Sequence, residues 1–533
     1  MEQFPFPIVW YIGKAMLSRI FSFGLRGVEG YPVMVELDLA NGLPGFTTVG
    51  LPDTAVRESR DRVCSAVRNS GYQFPQRRIT VNLAPAQSRK QGSHFDLPIA
   101  LAVLFASGQL PAGEWAKRFC FVGELALDGS LRPVRGVLAM AAKARSQGFG
   151  GMIVPRDNAG EAAATGLAAY GAATLREVVD FLAGVPGADL KVTPPALAGG
   201  GERLPGEDDG PWPVDFSDVK GQPLAKRALE IAASGGHHVL LVGPPGSGKS
   251  MLARRLPTIL PELTPDEAME VSLIHCVGPD RPRTGLLRRR PFRSPHHGAS
   301  HVALIGGGPL ARPGEVSLAH GGVLFLDELA EFSRPALESL RQPLEEGRVV
   351  VARARDTVEY PARFSLVAAC NLCPCGWLGH PARPCSCTPP AVARYMARLS
   401  GPLLDRIDIQ VEVAPVAFEH WAAGGPGGQE GTSARILQRV EKTRRLQGER
   451  FASAGMLVNA HIPPRDLRRY CALDAAGLKL LGEASRRLGL SARSLDRALR
   501  VARTIADMEE SPGVAVRHLA EAMQYRSLDR IKP

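Results

Sequence analysis

HHVLLVGPPGSGKSMLARRL, residues 237–256, reads as strand, loop and helix in direct succession. His237–Val242 is a short apolar run that suits a buried strand. Gly243-Pro244-Pro245-Gly246-Ser247-Gly248-Lys249-Ser250 follows at once, and Met251–Leu256 is helical in pattern. This is G-x4-G-K-S in the strand–loop–helix setting that its chemistry needs. The glycines let backbone N–H groups turn inward around phosphate oxygens, and the new helix adds its positive end. Lys249 is placed to reach the β- and γ-phosphates, and Ser250 to hold Mg²⁺. The motif implies ATP and Mg²⁺ as cofactors and an α/β core built on a P-loop.

Three later segments fit around it. Gly322–Leu326 is a second buried-type strand and ends in Asp327-Glu328. An acidic pair at such a strand end is costly unless it meets a cation. Asp327 suits Mg²⁺ held through water, and Glu328 suits the orienting and polarising of an attacking water. Phe364–Ala369 is a third strand and ends near Asn371, whose amide can reach a γ-phosphate or that water. Gly401-Pro-Leu-Leu-Asp405-Arg406-Ile-Asp408 sets one arginine between two acids. It is either a local ion pair, worth little at a surface, or an arginine finger offered to a neighbouring subunit. Arg493, in the tail, can close over the nucleotide.

The 533-residue chain has room for about three or four domains. Its 45% hydrophobic and 22% charged residues exclude a wholly disordered chain and a polytopic membrane protein. Residues 1–15 carry Pro5 and Pro7 in a short apolar run broken by Lys14, which suits neither a signal peptide nor a membrane span. They read as an extension upstream of a domain that starts at Met16. Residues 16–183 alternate β-like runs (Val33–Leu39, Ile79–Leu83, Phe119–Leu127) with helical patterns (Asp53–Ser70, Leu97–Ser107, Val134–Gln147), as an α+β or α/β domain does. Gly184–Asp215 is a linker rich in glycine and proline. Residues 216–421 are the ATPase core, Ala422–Gly431 is a Gly-rich break, and 432–533 is helical by period. The net charge of +11 is compatible with a polyanion partner without establishing one.

Four of the nine cysteines, Cys373, Cys375, Cys385 and Cys387, form C-x-C-x9-C-x-C. Without a secretory signal such clustering indicates metal binding in a reducing cytoplasm rather than disulfides. Four thiolates can close a tetrahedral structural Zn²⁺ site, with Cys370 and His380 as spare ligands. The alternative is a set of loop thiols without metal.

FRSPHHGAS at 292–300, PGEVSLAHGGVLFLDEL at 313–329 and GPLLDRID at 401–408 resemble the AAA+ ATPase module of the magnesium-chelatase-like group. With VELDLANGLPGFTTVGLPDTAVRESRDRV at 35–63 and SARSLDRALRVARTIADME at 491–509, the chain from Met16 onward resembles the ComM/YifB family of bacterial competence proteins. That resemblance implies a homo-hexameric ring that translocates on single-stranded or branched DNA. Its work would be branch migration of recombination intermediates during natural transformation, with recombination proteins as further partners. Asn371 then matches the first sensor, Arg406 the finger and Arg493 the second sensor, on a C-terminal helical lid domain. The family usually has proline where Leu372 follows Asn371, which puts the local loop shape in question. The N-terminal part resembles the Lon-protease-like (ribosomal S5-type) α+β fold, whose proteases use a Ser–Lys dyad. Aligning Lys90–Asp96 on the serine motif puts His94 at the nucleophile position, with Ser93 one place off. Leu138 stands where the lysine belongs. A serine without a placed base is a poor nucleophile, so the domain reads as a non-proteolytic scaffold.

Two stretches are candidate pore elements. Arg288–Gly308 opens with three arginines and includes Arg293, His296 and His297. Glu346–Arg363 has the alternation of a β-hairpin, with Arg353 and Arg355 near its turn. Hairpin arginines can track phosphates without reading bases. Aromatics are sparse there, Phe292 and Tyr360 only, which favours phosphate tracking over base stacking. The tail adds Arg435, Arg439, Lys442, Arg444, Arg445, Arg450, Arg486, Arg487, Arg497, Arg500 and Arg503, divided between solvent, subunit contacts and DNA. The reading is a cytoplasmic AAA+ motor ATPase acting on DNA, with no membrane partner. The competing reading is a chelatase-type subunit that remodels a metal-inserting partner.

Overall fold

The computed structural model describes residues 16–192, 213–278, 286–308, 311–352, 357–399, 401–415, 431–452 and 454–526. Residues 1–15, most of the 184–215 linker, most of the 422–431 break, and Arg353 and Arg355 lie outside them. The chain divides into two units. One comprises the N-terminal residues with a short segment beginning at Ser272. The other begins ahead of the P-loop, and after that segment resumes at Leu287.

Five short strands organise the P-loop unit. Val239–Val242 and Val323–Leu326 are buried throughout, and Ser365–Cys370 is buried from Leu366 onward. Strands that read as unbroken apolar runs belong in a parallel sheet covered on both faces. The sheet order is Phe292–Arg293, Val323–Leu326, Ser365–Cys370, Val239–Val242, Ile409–Glu412, and every pairing is parallel. Leu241 stands opposite Ala369, and Leu326 opposite Ala368. All loops that leave the C-terminal strand ends therefore emerge along one edge, where open α/β sheets place their ligands. The helix expected over Met251–Leu256 instead runs Lys249–Ala253, and a 3₁₀ turn, Leu256–Ile259, follows. Pro257 has no N–H to continue the α-helical ladder.

The tail is helical, as its period implies: Ser433–Phe451, Ala475–Leu488, Ala492–Met508 and Val516–Gln524. The Thr432, Asp474 and Ser491 side chains cap the first three by accepting from Arg435, Gly477 and Ser494 N–H. Ile436, Val440, Ala498, Val501 and Ile505 join Val239, Leu241 and Val323 in one hydrophobic core. The hairpin pairs Arg348–Ala352 antiparallel with Thr357–Pro361. Val349, Val351, Val358 and Tyr360 face inward.

The N-terminal unit is built on an eight-stranded mixed sheet whose longest strands, Met16–Arg26 and Glu29–Ala40, pair antiparallel. Alternate residues feed two cores: Phe119, Phe121 and Ile153 one, Cys120, Met152 and Val154 the other. The helix Asp96–Ala106 belongs to the first core and Val137–Ser146 to the second, so both faces are covered. The single run expected at Phe119–Leu127 is two strands, Phe119–Phe121 and Glu124–Leu125. They part at Gly123, whose N–H bonds the His94 carbonyl instead of a neighbouring strand. Among the described residues no helix is long and apolar enough to cross a membrane.

Candidate functional site

The loop after Val239–Val242 curls at Gly246 and Gly248, whose φ values of +76° and +94° lie in the left-handed region that favours glycine. A Cβ at either position would meet nothing within 4 Å, so the loop is open around both glycines. Lys249 opens the helix, and its side chain folds back over the loop. Nζ donates to Gly243 O (2.7 Å), Pro244 O (2.8 Å) and Asn371 Oδ1 (3.2 Å). Burial lowers the Lys249 pKa, while Cys370, Asp327 and Glu328 pull it back up. An ammonium so desolvated gains from an anion beside it.

Ser250 Oγ donates to Asp327 Oδ2 at 2.7 Å. A hydroxyl from the helix start and a carboxylate from the strand end, in contact, form the donor set a hard cation takes. The residues thus fit a Mg-nucleotide: an open loop of backbone, a buried ammonium, and paired oxygen ligands. Asp327 Oδ1 also accepts the Glu328 N–H at 3.0 Å. Glu328 has φ +52°, a strained value for a residue with a Cβ. The turn directs its carboxylate to His297, with Nδ1 3.2 Å from Oε2. His297 comes just after Phe292–Arg293, the strand next to Val323–Leu326. Parallel neighbours end on the same side, and that register brings the histidine to the acidic pair. The place of His297 in the candidate pore segment gives no sign of this contact.

Arg406 is almost wholly buried, and its guanidinium is bonded to Pro402 O and to the Glu345 carboxylate. Arg493 is exposed, and its Nη1 lies 4.0 Å from the same Glu345 oxygen. The structure therefore gathers Lys249, Ser250, Asp327, Glu328 and Asn371 at one sheet edge, and joins Arg406 and Arg493 through a carboxylate that no motif flagged. Asp408, the second acid of that segment, is buried. It accepts the His238 N–H at 2.9 Å and Arg497 Nη1 at 2.5 Å. Burial disfavours its charge, yet Arg497 and His237 hold its carboxyl well below the usual range.

The sulfur atoms of Cys373, Cys375, Cys385 and Cys387 all lie within 4.8 Å of one another, compatible with a metal site. The spare ligands stand aside: Cys370 is buried at the end of its strand, and His380 Nδ1 accepts from Ala382 and Arg383 N–H. Of the candidate DNA-contact residues, Arg290 pairs with Glu267 at 3.1 Å and Arg293 with Glu315 at 2.7 Å. Arg439, Lys442, Arg450, Arg497 and Arg503 pair with carboxylates, and Arg444 and Arg500 with carbonyls. Arg435, Arg445, Arg486 and Arg487 are exposed. In the N-terminal unit Leu138 is core, His94 is buried with its pKa pushed down to about 4, and Ser93 bonds Glu124.

Three family models cover most of the chain: subunit ChlI of Mg-chelatase over residues 35–158, magnesium chelatase subunit ChlI over 215–421, and the ChlI C-terminal region over 430–526. The chain is 44% identical to competence protein ComM of Haemophilus influenzae, over 97% of this chain and 98% of that one. It is 43% identical to the YifB protein of Salmonella typhimurium, with the same coverage. This chain belongs to the ComM/YifB family. Likeness to a 67 kDa magnesium-chelatase subunit of Chlorobaculum tepidum is narrower, 32% over 29% of this chain. For a ComM/YifB protein the magnesium-chelatase-like core points to ATPase chemistry, and its P-loop geometry agrees with that.

Proposed function

We propose that this ComM/YifB protein is an ATP-driven, homo-hexameric DNA motor that promotes branch migration of recombination intermediates in natural transformation. The observation that carries the proposal is the gathering of Lys249, Ser250, Asp327, Glu328 and Asn371 at one sheet edge, in a chain that matches a competence protein over nearly its whole length. Bound ATP and Mg²⁺ supply the phosphoryl group and its charge neutralisation. Lys249 exchanges its carbonyl partners for phosphate oxygens. Ser250 and Asp327 hold the cation, Glu328 orients water, and Asn371 senses the γ-phosphate. Arg406 serves the site of the adjacent subunit, and Arg493 closes from the lid formed by the tail helices. Cys373, Cys375, Cys385 and Cys387 hold a structural zinc ion. The N-terminal unit is a Lon-like scaffold without protease activity. Its Ser93 partner is a carboxylate, and a leucine occupies the lysine position. The motor works in the cytoplasm alongside recombination proteins.

The deciding experiment is ATP-dependent migration of a labelled three- or four-strand DNA junction by the purified protein. Junction migration that stops in Glu328→Gln supports the motor. ATPase activity indifferent to DNA, with no migration, refutes it and returns the chelatase-type reading.

A further inference from the structure

The four-thiol loop is seated on the nucleotide loop. It leaves the sheet directly after Ser365–Cys370, and its first ligand, Cys373, comes two residues after Asn371. Between Asn371 and Thr388 it has no helix or strand. Its inward side chains are few, mainly Leu372 and Cys373. A loop of this length with so little apolar burial needs another constraint to hold one shape.

The sulfurs can supply that constraint. Cys373–Cys375 stand 3.4 Å apart, and Cys375–Cys385 and Cys373–Cys385 each 3.6 Å. Four sulfurs bound at about 2.3 Å around a tetrahedral metal would be about 3.8 Å apart. These three pairs lie within a few tenths of an ångström of that spacing, and all four sulfurs lie within 4.8 Å of one another. Leu378 N–H donates to Cys373 Sγ and Cys387 N–H to Cys385 Sγ, as outer partners of metal-bound thiolates do.

Two contacts tie the knuckle to the ATP loop. Asn371 accepts the P-loop lysine at 3.2 Å. Gly376, inside the knuckle, has φ +83°, and a Cβ there would stand 2.8 Å from Pro245 Cγ and Cδ. The Pro245 ring of the P-loop and the knuckle therefore meet with no room for a side chain at Gly376 between them.

We propose that a thiophilic divalent metal, zinc by ligand chemistry, makes this knuckle the strut that positions Asn371 and braces the P-loop at Pro245, so that turnover depends on a metal outside the reaction. The proposal rests on the zinc and sensor assignments made above. The metal touches no substrate. It acts by fixing where the sensor amide and the loop stand, and its loss lowers kcat more than nucleotide affinity.

The test uses full-length protein purified without a metal-binding tag. Zinc is measured by release with a mercurial and a metallochromic dye. The expected content is one equivalent per chain, falling in Cys385→Ser/Cys387→Ser. In that variant, and in protein stripped by chelator, kcat is expected to fall about tenfold or more, while the Kd of a fluorescent ADP analogue changes by less than about threefold. Adding zinc chloride to stripped wild-type protein restores kcat. Gly376→Ala separates the two claims. It keeps four thiols and its zinc, but drives a Cβ against Pro245, so kcat falls with zinc content unchanged. Absence of zinc, with none taken up, overturns the metal assignment. Full kcat in stripped protein, or in zinc-loaded Gly376→Ala, overturns the coupling and leaves the metal assignment standing. A Kd lost in parallel with kcat overturns the strut role in favour of general collapse.

Discussion

Glu345→Gln is the sharpest perturbation the site offers. In the isolated subunit the Glu345 carboxylate contacts Arg406 and stands 4.0 Å from Arg493. If Arg406 is the finger of the adjacent subunit's site, it must leave this carboxylate to work. A hydrogen bond to a charged group contributes about 1.5–3 kcal/mol and a neutral one about 1 kcal/mol. The Arg406 side chain is only 9% exposed, but Glu345 is 49% exposed, so solvent screens the pair. The difference between Glu and Gln is then about 1 kcal/mol, or roughly fivefold in the fraction of Arg406 released. Steady-state ATPase per subunit, at a protein concentration that supports rings, should rise by about that factor. Arg406→Ala should abolish the gain, so that the double variant matches Arg406→Ala alone. An unchanged or lower rate in Glu345→Gln, with Arg406→Ala inactive, would refute the idea that this pair restrains the finger.

Glu328→Gln should bind ATP and assemble while its turnover falls by two or more orders of magnitude, roughly the scale of losing one oriented catalytic group, read by single-turnover hydrolysis. Wild-type turnover there would remove Glu328 from its role. Arg353→Ala with Arg355→Ala should lower DNA-stimulated ATPase and spare basal ATPase; unchanged stimulation would move the DNA contact elsewhere. Burial pushes His94 and His238 down to about 4, against an ordinary value of 6.5. The unfolded chain then binds protons that the folded chain refuses, so stability present above about pH 6.5 is lost as pH falls toward 4. Denaturant midpoints should drop across that window, and a flat profile would contradict the burial of these rings.

The P-loop, the acidic pair and Asn371 were legible because each follows a short apolar run, and a parallel sheet gathers the ends of such runs. The contacts that join them were not. Lys249 and Asn371 are 122 residues apart, Arg497 and Asp408 89, and Arg406 and Glu345 61. Sheet order decides such pairings, and the run of strands along the chain does not reveal that Ser365–Cys370 lies beside Val239–Val242. His297 is the same case: its position after Phe292–Arg293 was visible, but not which strand that one adjoins. The arginines show a further gap. Period marked the tail as helical and basic, yet whether a helical arginine meets solvent or a carboxylate depends on a partner such as Asp507, which receives both Arg450 and Arg503.

Those pairings narrow how a DNA contact can be made. Phe292 stacks on Phe325 with ring centroids 6.0 Å apart, and Tyr360 is buried with its hydroxyl bonded to Ala311 O at 2.6 Å. Neither ring near the candidate pore segments is free to stack on a base without leaving the core. Five of the eleven tail cations named above, Arg439, Lys442, Arg450, Arg497 and Arg503, are ion-paired within the subunit, so the net charge of +11 overstates what the tail can present to a polyanion. A motor built this way would grip by a few phosphate contacts per subunit, summed around a ring. Each contact on a single strand carries a salt slope of about −0.7, so affinity should depend on ionic strength through ring assembly as much as through any one arginine. Weak, sequence-blind, repeated contacts are also what a translocating protein needs, since a tight stacked grip would have to be broken at every step.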